Sequence, residues 1–178
     1  MAMTLNSRIT GKITGTAVKD GTEFEDVQYT LSFSADVSLA DGVAANQADQ
    51  EWHDEGSLLA DGTTTYDVAG GITDEFGAAV TFARIKAIYF KNTSTTASVL
   101  RLGGGTGGDG TNAFDTWVTS TAADGSEGVL VRAGGFILLC APDATAYAVT
   151  GGSIDILLIE EMSTLAATYE LCLIGSLT

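Results

Sequence analysis

The sequence predicts an all-β fold, a jelly-roll-like antiparallel β-sandwich with an N-terminal β-ribbon and at most one short helix. Short segments rich in Thr, Val, Ile and aromatic residues recur along the 178 residues, and this composition favours strands. Glycine pairs and Asp-Gly steps separate the segments, as is typical of tight turns. About nine to eleven short strands at regular spacing indicate a sandwich, of which the jelly roll is the simplest form.

The chain length is that of one domain. We expect a single β-sandwich domain over residues 1–178, with an extended arm over residues 1–35 and a jelly-roll core over residues 36–178. The glycine-rich tract at residues 103–110 is interpreted as an exposed loop tip and not as a linker. The strands that follow it are too few to make a second domain with a covered core.

The N-terminal arm contains two predicted strands. Residues 7–18 are dominated by Thr and Ile and show no helical period. Residues 26–35 alternate strictly, with Val27, Tyr29, Leu31, Phe33 and Ala35 on one face and polar side chains on the other. Alternation of this kind is typical of a half-buried strand. We expect the two strands to pair antiparallel across residues 19–25.

The middle of the chain is predicted to be less uniform. Residues 41–55 contain reasonable helix formers between Gly42 and Gly56, which favours one short helix or an ordered loop. Strand composition resumes at residues 57–60 and 63–68. Residues 78–92 are rich in β-branched and aromatic side chains and are predicted to form a central strand or two.

The last third of the chain is predicted to complete the sandwich. Residues 136–140 are uniformly apolar and are expected to form a buried strand that Pro142 stops. The other predicted strands of this part lie at residues 99–102, 113–118, 128–132, 146–150, 153–160 and 168–174.

Composition and charge exclude two classes of partner. Eight Lys and Arg against 23 Asp and Glu give a formal net charge of −15, which is far too acidic for a protein that neutralises nucleic-acid phosphates. No apolar run reaches the roughly 18 residues of a membrane span. Residues 1–8 carry no basic segment followed by an apolar stretch, so we expect synthesis in a reducing cytoplasm. We therefore expect neither a nucleic acid nor a membrane as partner.

Side chains able to support catalysis are few, and we do not expect an enzyme. His53 is the single histidine, and the sequence contains no Gly-x-Ser-x-Gly nucleophile turn. The glycine tract lacks the Lys and the Ser or Thr of a phosphate-binding loop. Trp52 and Trp117 lie in or beside predicted loops, and each is interpreted either as a lid on the core or as an anchor at a protein interface. Trp52, His53 and Trp117 are thus the candidate interface residues.

The two cysteines are expected to be free thiols. Cys140 and Cys172 both lie within apolar strand segments, where unmodified cysteines act as small hydrophobic residues. A disulfide between them is the alternative, since neighbouring strands could bring them together. Zinc is disfavoured because the chain has no ligand spacing of the Cys-x-x-Cys type.

No cofactor is expected, and calcium is the open alternative. Three acidic segments, at residues 20–26, 51–55 and 124–127, supply hard oxygen ligands. None of them has the spacing of an EF-hand loop. Acidic residues are also common in hairpin connections, where Asp-Gly is a turn signal.

Four stretches together carry a resemblance to a known group of proteins. They are Ala40 to Trp52, Phe76 to Asn92, Val131 to Pro142 and Tyr169 to Gly175. These stretches resemble small structural proteins of tailed bacteriophages, and the likeness covers roughly residues 36–175. The shared features are strand and turn motifs rather than catalytic signatures.

The resemblance implies a virion protein with a jelly-roll-like fold, most simply a capsid decoration or cement protein. Such a protein would bind the major capsid protein on the outer surface of the head and stabilise the shell as a homotrimer, after synthesis in the cytoplasm of the bacterial host. The arm would be the part that reaches a neighbouring molecule. The alternatives are a tail, neck or fibre-base component and, from another class, a carbohydrate-binding jelly roll that stacks sugars on exposed aromatic residues.

Overall fold

The computed structural model describes residues 4–19, 27–103, 112–118 and 128–178 as an all-β protein. These residues contain no helix, and so none that is long and apolar enough to cross a membrane. The strands are β1 (Ser7–Lys19), β2 (Val27–Asp41), β3 (Gln47–Ala48), β4 (Gln50–Leu58), β5 (Thr63–Asp67), β6 (Ile72–Thr73), β7 (Ala79–Val80), β8 (Arg84–Asn92), β9 (Val99–Leu102), β10 (Val129–Arg132), β11 (Phe136–Cys140), β12 (Tyr147–Ala148), β13 (Ile156–Glu161) and β14 (Ala167–Ser176).

Eight of these strands form a jelly-roll sandwich. One sheet has the order β11-β8-β14-β4, with β12 also paired to β8, and the other has the order β10-β9-β13-β5. The antiparallel pairs are nested along the chain, because β4 pairs with β14, β5 with β13, β8 with β11 and β9 with β10. This is the pairing of one long hairpin rolled into two facing sheets. The expected jelly-roll sandwich is therefore confirmed.

The core lies between the two sheets because their strands alternate. In β14 the side chains of Tyr169, Leu171 and Leu173 point inward and are almost fully buried. They meet side chains of the opposite sheet such as Leu100 and Ile159, which are also fully buried. Full burial of a side chain of this size stabilises the fold by about 1.5–3 kcal/mol. The sandwich core thus supplies the main stabilisation of the fold.

The N-terminal strands form a two-stranded ribbon outside this sandwich, as the alternation predicts. β1 pairs antiparallel with β2 over its whole length, from Ser7 opposite Leu39 to Lys19 opposite Val27, and the last two residues of β2 pair with β3. The base of the ribbon packs on the outer face of the five-stranded sheet through a second apolar cluster. That cluster joins Leu5, Ile9 and Leu39 to Ala87 and Ala48, with Leu138, Cys140 and Ile174 packed against it. The ribbon is therefore a partial third layer, which continues past residue 35 to Asp41.

Two sequence expectations for secondary structure are wrong. Residues 41–55, expected to be a helix or loop, contain β3 and most of β4. Residues 113–118, expected to be a strand, form turns in which only Ala113 makes a bridge, to Ile156. Phe114 is nevertheless fully buried in the sandwich core. The apolar side chains of this segment are used for packing and not for sheet pairing.

β11 is also less buried than its composition predicts. It is an edge strand that pairs only with β8, and its residues are half-buried or exposed. Ile137 and Leu139 face the sandwich core, whereas Leu138 and Cys140 face the ribbon. The uniform apolar composition thus reflects two different layers, one on each face of the strand.

A bulge fixes the end of the central strand. The β8–β14 register shifts between Ile174 and Gly175, so that Lys86 has no partner in β14. The Lys86 side chain is buried, and its Nζ donates hydrogen bonds to the carbonyls of Ala44 at 2.8 Å and Asp143 at 2.9 Å. Burial lowers the pKa of this amine. Lys86 therefore ties two turns together at the end of the sheet beneath the ribbon.

Candidate interaction surface

The ribbon has one apolar and one polar face because both strands alternate in step. Directly opposed residues of an antiparallel pair lie on the same face. Ile9 is opposite Val37, Ile13 is opposite Phe33, and Ala17 is opposite Tyr29 on the apolar face. Arg8, Lys12 and the threonines at positions 10, 14 and 16 lie on the other face, which also carries the exposed Val18 near the tip. Only the base half of the apolar face is covered by the protein's own sandwich.

The uncovered half forms a surface that we call the apolar strip, defined by Ile13, Tyr29 and Phe33 of the ribbon and Phe136 of β11. These side chains are between 61% and 67% exposed. Between the ribbon and β11 lies a groove of about 460 Å³ lined by Ile13, Phe33, Phe136 and Leu138 among others. Large apolar residues clustered beside an apolar groove are typical of a protein interaction site. The apolar strip is therefore the strongest candidate site in the described residues.

The polar face of the ribbon is stabilised by an ion pair. The Arg8 Nε donates a hydrogen bond to Asp36 Oδ1 at 2.9 Å, and a second guanidinium nitrogen bonds the other carboxylate oxygen. The hydrogen bond from Arg8 lowers the pKa of Asp36, and the same bond raises the pKa of Arg8. The pair is solvent-exposed and contributes little to stability. The exposed ion pair indicates that this face of the ribbon is in contact with solvent.

Trp52 belongs to the sandwich core. It is 7% exposed, and its ring centroid lies 4.8 Å from that of Tyr66. Its Nε1 donates a hydrogen bond to the carbonyl of Thr73 at 3.1 Å. In this position the ring cannot serve as an exposed platform for a sugar or as an anchor in a partner's pocket. Of its two sequence interpretations, the structure shows the lid on the core.

A partly buried polar cluster lies next to Trp52. The Tyr66 hydroxyl donates a hydrogen bond to Asp54 and is also hydrogen-bonded to the Tyr169 hydroxyl. Burial raises the pKa of Tyr66, and both hydrogen bonds add to the effect. Gly56 leaves room for the Tyr169 ring, since a Cβ at that position would collide with it. The tyrosines are therefore protonated at neutral pH, and the cluster fixes β4 against β5 and β14.

His53 lies on the exposed face of β4. Its Nε2 is 3.0 Å from Glu75 Oε1, and both side chains are more than half exposed. Trp52, Phe76 and Asp74 line the same shallow groove, whose volume is about 50 Å³. This space is too small for a drug-sized ligand, which needs roughly 300 Å³ or more. His53 is accessible to a partner protein but is not part of an enclosed site.

Trp117 is half-buried at one end of the sandwich. Its ring packs against the core, and its Nε1 donates a hydrogen bond to the carbonyl of Phe114 at 3.1 Å. Gly103, with φ of +96°, lies so close that a Cβ there would be 2.9 Å from the indole ring. The structure does not bring Trp117 together with Trp52 and His53 into one surface.

The cysteines lie on different strands that do not pair. Cys140 is opposite Ala87 of β8, and Cys172 is opposite Tyr89 on the other side of the same strand. β8 therefore separates the two sulfurs, and both cysteines are free thiols. Burial raises the pKa of both. The alternative of a disulfide between them is not what the structure shows.

Of the three acidic segments, only residues 51–55 lie within the described residues. Residues 20–26 and 124–127, and most of the glycine tract at 104–110, lie outside the described residues. In the third segment, Glu51 and Glu55 are exposed whereas Asp54 bonds Tyr66. Within the described part of the chain, His, Cys, Asp and Glu nowhere form a group of three or more placed to hold a metal ion.

The structure thus defines a jelly-roll protein with a projecting ribbon. Comparisons with models of protein families, with curated proteins and with solved structures found no match. Of the residues of the apolar strip, none is among the candidate interface residues that the sequence predicts, which are Trp52, His53 and Trp117. The alternation of residues 27–35 signalled an apolar face there, but it gave no indication of which half the sandwich covers.

Proposed function

We propose that this chain is a non-enzymatic structural protein of a bacteriophage virion, a decoration protein that binds the outer surface of the major capsid protein shell and stabilises the head. The proposal rests on the resemblance to tailed-phage structural proteins over residues 36–175 and on the apolar strip. The strip is the single observation that carries it, because it gives the chain a surface for another protein.

The energetics of the strip favour a protein partner. Phe and Tyr side chains bury about 150–250 Å² each, and those of the strip are more than three-fifths exposed. Covering each of them would stabilise a complex by about 2–4 kcal/mol at 25 cal/mol per Å². Ile13 and Phe136 extend the same surface toward the sandwich. A few such residues are enough to dominate a binding site.

Charge supports a position on the outside of the head. The formal net charge is −15, and a surface of this sign is repelled by packaged DNA. The negative net charge also makes copies of the chain repel each other in solution unless a specific contact offsets the repulsion. An apolar contact area on an acidic protein suits specific attachment to a shell surface.

Co-sedimentation with expanded capsid shells tests the proposal. We expect the wild-type chain to pellet with shells assembled from the major capsid protein of the same phage. Phe33→Ser removes a central side chain of the strip and is expected to weaken binding about tenfold or more, the effect of losing an interface hot spot.

Leu130→Ser is the matched control, because Leu130 is 60% exposed on β10 of the other sheet. It should leave shell binding unchanged. Equal loss in both variants, or no binding by the wild type, contradicts the proposal. Quantification in purified virions separates shell from tail, since hundreds of copies indicate the shell and a handful indicate a tail, neck or fibre-base component.

A further inference from the structure

We infer that two copies of this chain associate by antiparallel pairing of their β1 strands along the outer edge of the ribbon. The inference goes beyond shell binding, because it concerns the backbone edge of β1, although Phe136 of the apolar strip also lines the groove beside that edge. β1 is the terminal strand of its sheet, with β2 on one side. Among the described residues, nothing pairs with the other side of β1.

The β1 edge is only lightly protected, because its charged side chains are limited to Arg8, Lys12 and Lys19. Proteins block such edges with proline, with bulges, with closely spaced charges or with a covering element. β1 is 13 residues long, contains no proline and pairs with β2 in an unbroken register. Between Lys12 and Lys19 the strand carries no charge. An edge of this kind is a template for a further strand.

A groove beside the base of this edge has room for part of that strand. It has a volume of about 320 Å³ and is lined on one side by Arg8, Ile9 and Thr10 of β1. Its floor is the outer face of the five-stranded sheet, with Ala87, Tyr89, Phe136, Leu138, Cys172 and Ile174. A strand added to β1 would therefore gain backbone hydrogen bonds and an apolar floor together. Small side chains fit such a shallow groove best.

The sequence of β1 fits this groove when Ile13 lies on the two-fold axis. Antiparallel pairing then places Gly11 opposite Gly15 and Ile9 opposite Ala17 of the second copy, so the apolar faces of both ribbons stay on one side. Gly15 and Ala17 of the second copy lie over the groove floor. Lys12 comes opposite Thr14, so no two cations oppose each other. A register centred on Lys12 instead places two lysines together, which is destabilising.

Charged substitutions at position 14 test this register. Thr14 is exposed, so its substitution should not disturb folding. Thr14→Lys places a lysine opposite Lys12 of the second copy, and Thr14→Glu places a carboxylate there. Each contact occurs twice in a two-fold dimer. Sedimentation velocity over a concentration series should show the dissociation constant raised by Thr14→Lys and lowered by Thr14→Glu, each by about twofold to thirtyfold.

Ser32→Lys and Ser32→Glu are the matched controls, because Ser32 lies opposite Thr14 on the same polar face but in β2. They should leave the dissociation constant nearly unchanged. Oxidative cross-linking gives a second readout. Ile13→Cys should form a disulfide-linked dimer, whereas Thr16→Cys should not, since two residues each three positions from the axis lie roughly 20 Å apart. The wild-type chain controls for the two native cysteines.

Three results would overturn the inference. The first is a chain that is monomeric at all concentrations. The second is an equal effect of Thr14→Lys and Thr14→Glu on the dissociation constant. The third is a trimer whose dissociation constant neither substitution changes. Pairing of two identical antiparallel strands has two-fold symmetry, so the homotrimer expected from the phage resemblance requires a different contact. These measurements use the full chain without capsid shells. A failure here is therefore distinguishable from a failure of shell binding.

Discussion

Glu161 illustrates how single residues hold the loops at one end of the sandwich. This carboxylate is 2% exposed. It accepts hydrogen bonds from the amides of Asp61 at 3.1 Å and Ser163 at 2.8 Å, and from the Ser163 hydroxyl. Burial by itself raises the pKa of Glu161, but these hydrogen bonds outweigh it and lower the pKa. The ionised form is therefore the one that stabilises the native state.

The low pKa of Glu161 predicts a pH-dependent contribution to stability. A carboxyl group with a depressed native pKa stabilises the fold above its unfolded pKa of about 4.3, and the contribution is lost as the pH falls through the native pKa. We expect Glu161→Gln to lower the free energy of unfolding by about 1–3 kcal/mol at pH 7. The difference from the wild type should shrink below pH ~4.

Urea denaturation at pH 7 and at low pH measures both quantities. Glu55→Gln is the matched control, since Glu55 is exposed on β4. Glu55→Gln should change the free energy of unfolding little at either pH. A Glu161→Gln penalty that stays constant across the pH range would show that the carboxylate charge is not what stabilises the loops.

Single residues also explain why the sequence pattern of residues 41–55 predicts a helix or loop where the structure has strands. The inward positions of β4 are Trp52, Asp54, Gly56 and Leu58. Asp54 and Gly56 interrupt the apolar alternation that marks a strand. Both are used inside the sandwich, where Asp54 bonds Tyr66 and Gly56 leaves room for Tyr169. The local sequence pattern therefore does not predict the strand, because the polar residues at its inward positions are explained only by partners that are distant in sequence.

Among the elements, the ribbon has two halves with different environments. At its base, Leu39 is 2% exposed and packs with the buried Ile9 and Ala87. Toward its tip, Ile13 and Phe33 are opposite each other and exposed. An isolated two-stranded hairpin is only marginally stable in water. The base contacts are therefore what holds the ribbon in place on the sandwich.

We expect Leu39→Ala to release the ribbon. The loss of a buried leucine costs about 2–5 kcal/mol, and here the loss falls on the second cluster and not on the sandwich core. Hydrogen exchange should show faster exchange of the β1 and β2 amides, while β8 and β14 keep their protection. Phe33→Ala is the control, and as a surface change it should alter stability by less than about 0.5 kcal/mol. Uniform loss of protection in all strands would instead show that ribbon and sandwich unfold as one unit.

Element assignments from sequence succeeded where alternation was uninterrupted. β1, β2, β8 and β9 follow segments in which β-branched or apolar residues repeat regularly. β2 is longer than predicted, because the alternation that predicts a strand as far as residue 35 continues beyond that residue, and the strand ends at Asp41. Asp36 lies on the polar face and pairs with Arg8, while Val37 and Leu39 continue the apolar face. The ion pair thus belongs to the strand and does not end it.

For the whole molecule, the nested pairing of the eight sandwich strands closes the core without the ribbon. The main apolar cluster draws its members from residues 52–173, and none of them comes from β1 or β2. Deletion of residues 1–41 should therefore leave a cooperatively folded sandwich. It would be less stable, since Ala87, Leu138 and Ile174 lose their cover.

Near-ultraviolet circular dichroism and urea denaturation of the truncated chain test this expectation. A fixed tryptophan environment and a single cooperative transition at lower urea concentration are the expected results. The truncated chain should also fail to bind capsid shells and fail to dimerise. Loss of cooperative unfolding would mean that the ribbon is part of the folding unit.

The sequence by itself determined the all-β class, the paired ribbon and most strand positions, because alternation and turn residues act over a few positions along the chain. The tertiary structure decided which apolar residues are core and which are surface. Phe33 and Leu39 have equivalent places in the alternation of β2, yet one is exposed and the other is buried. Whether the sandwich lies beneath a given residue depends on contacts distant in sequence, and local periodicity carries no information about them.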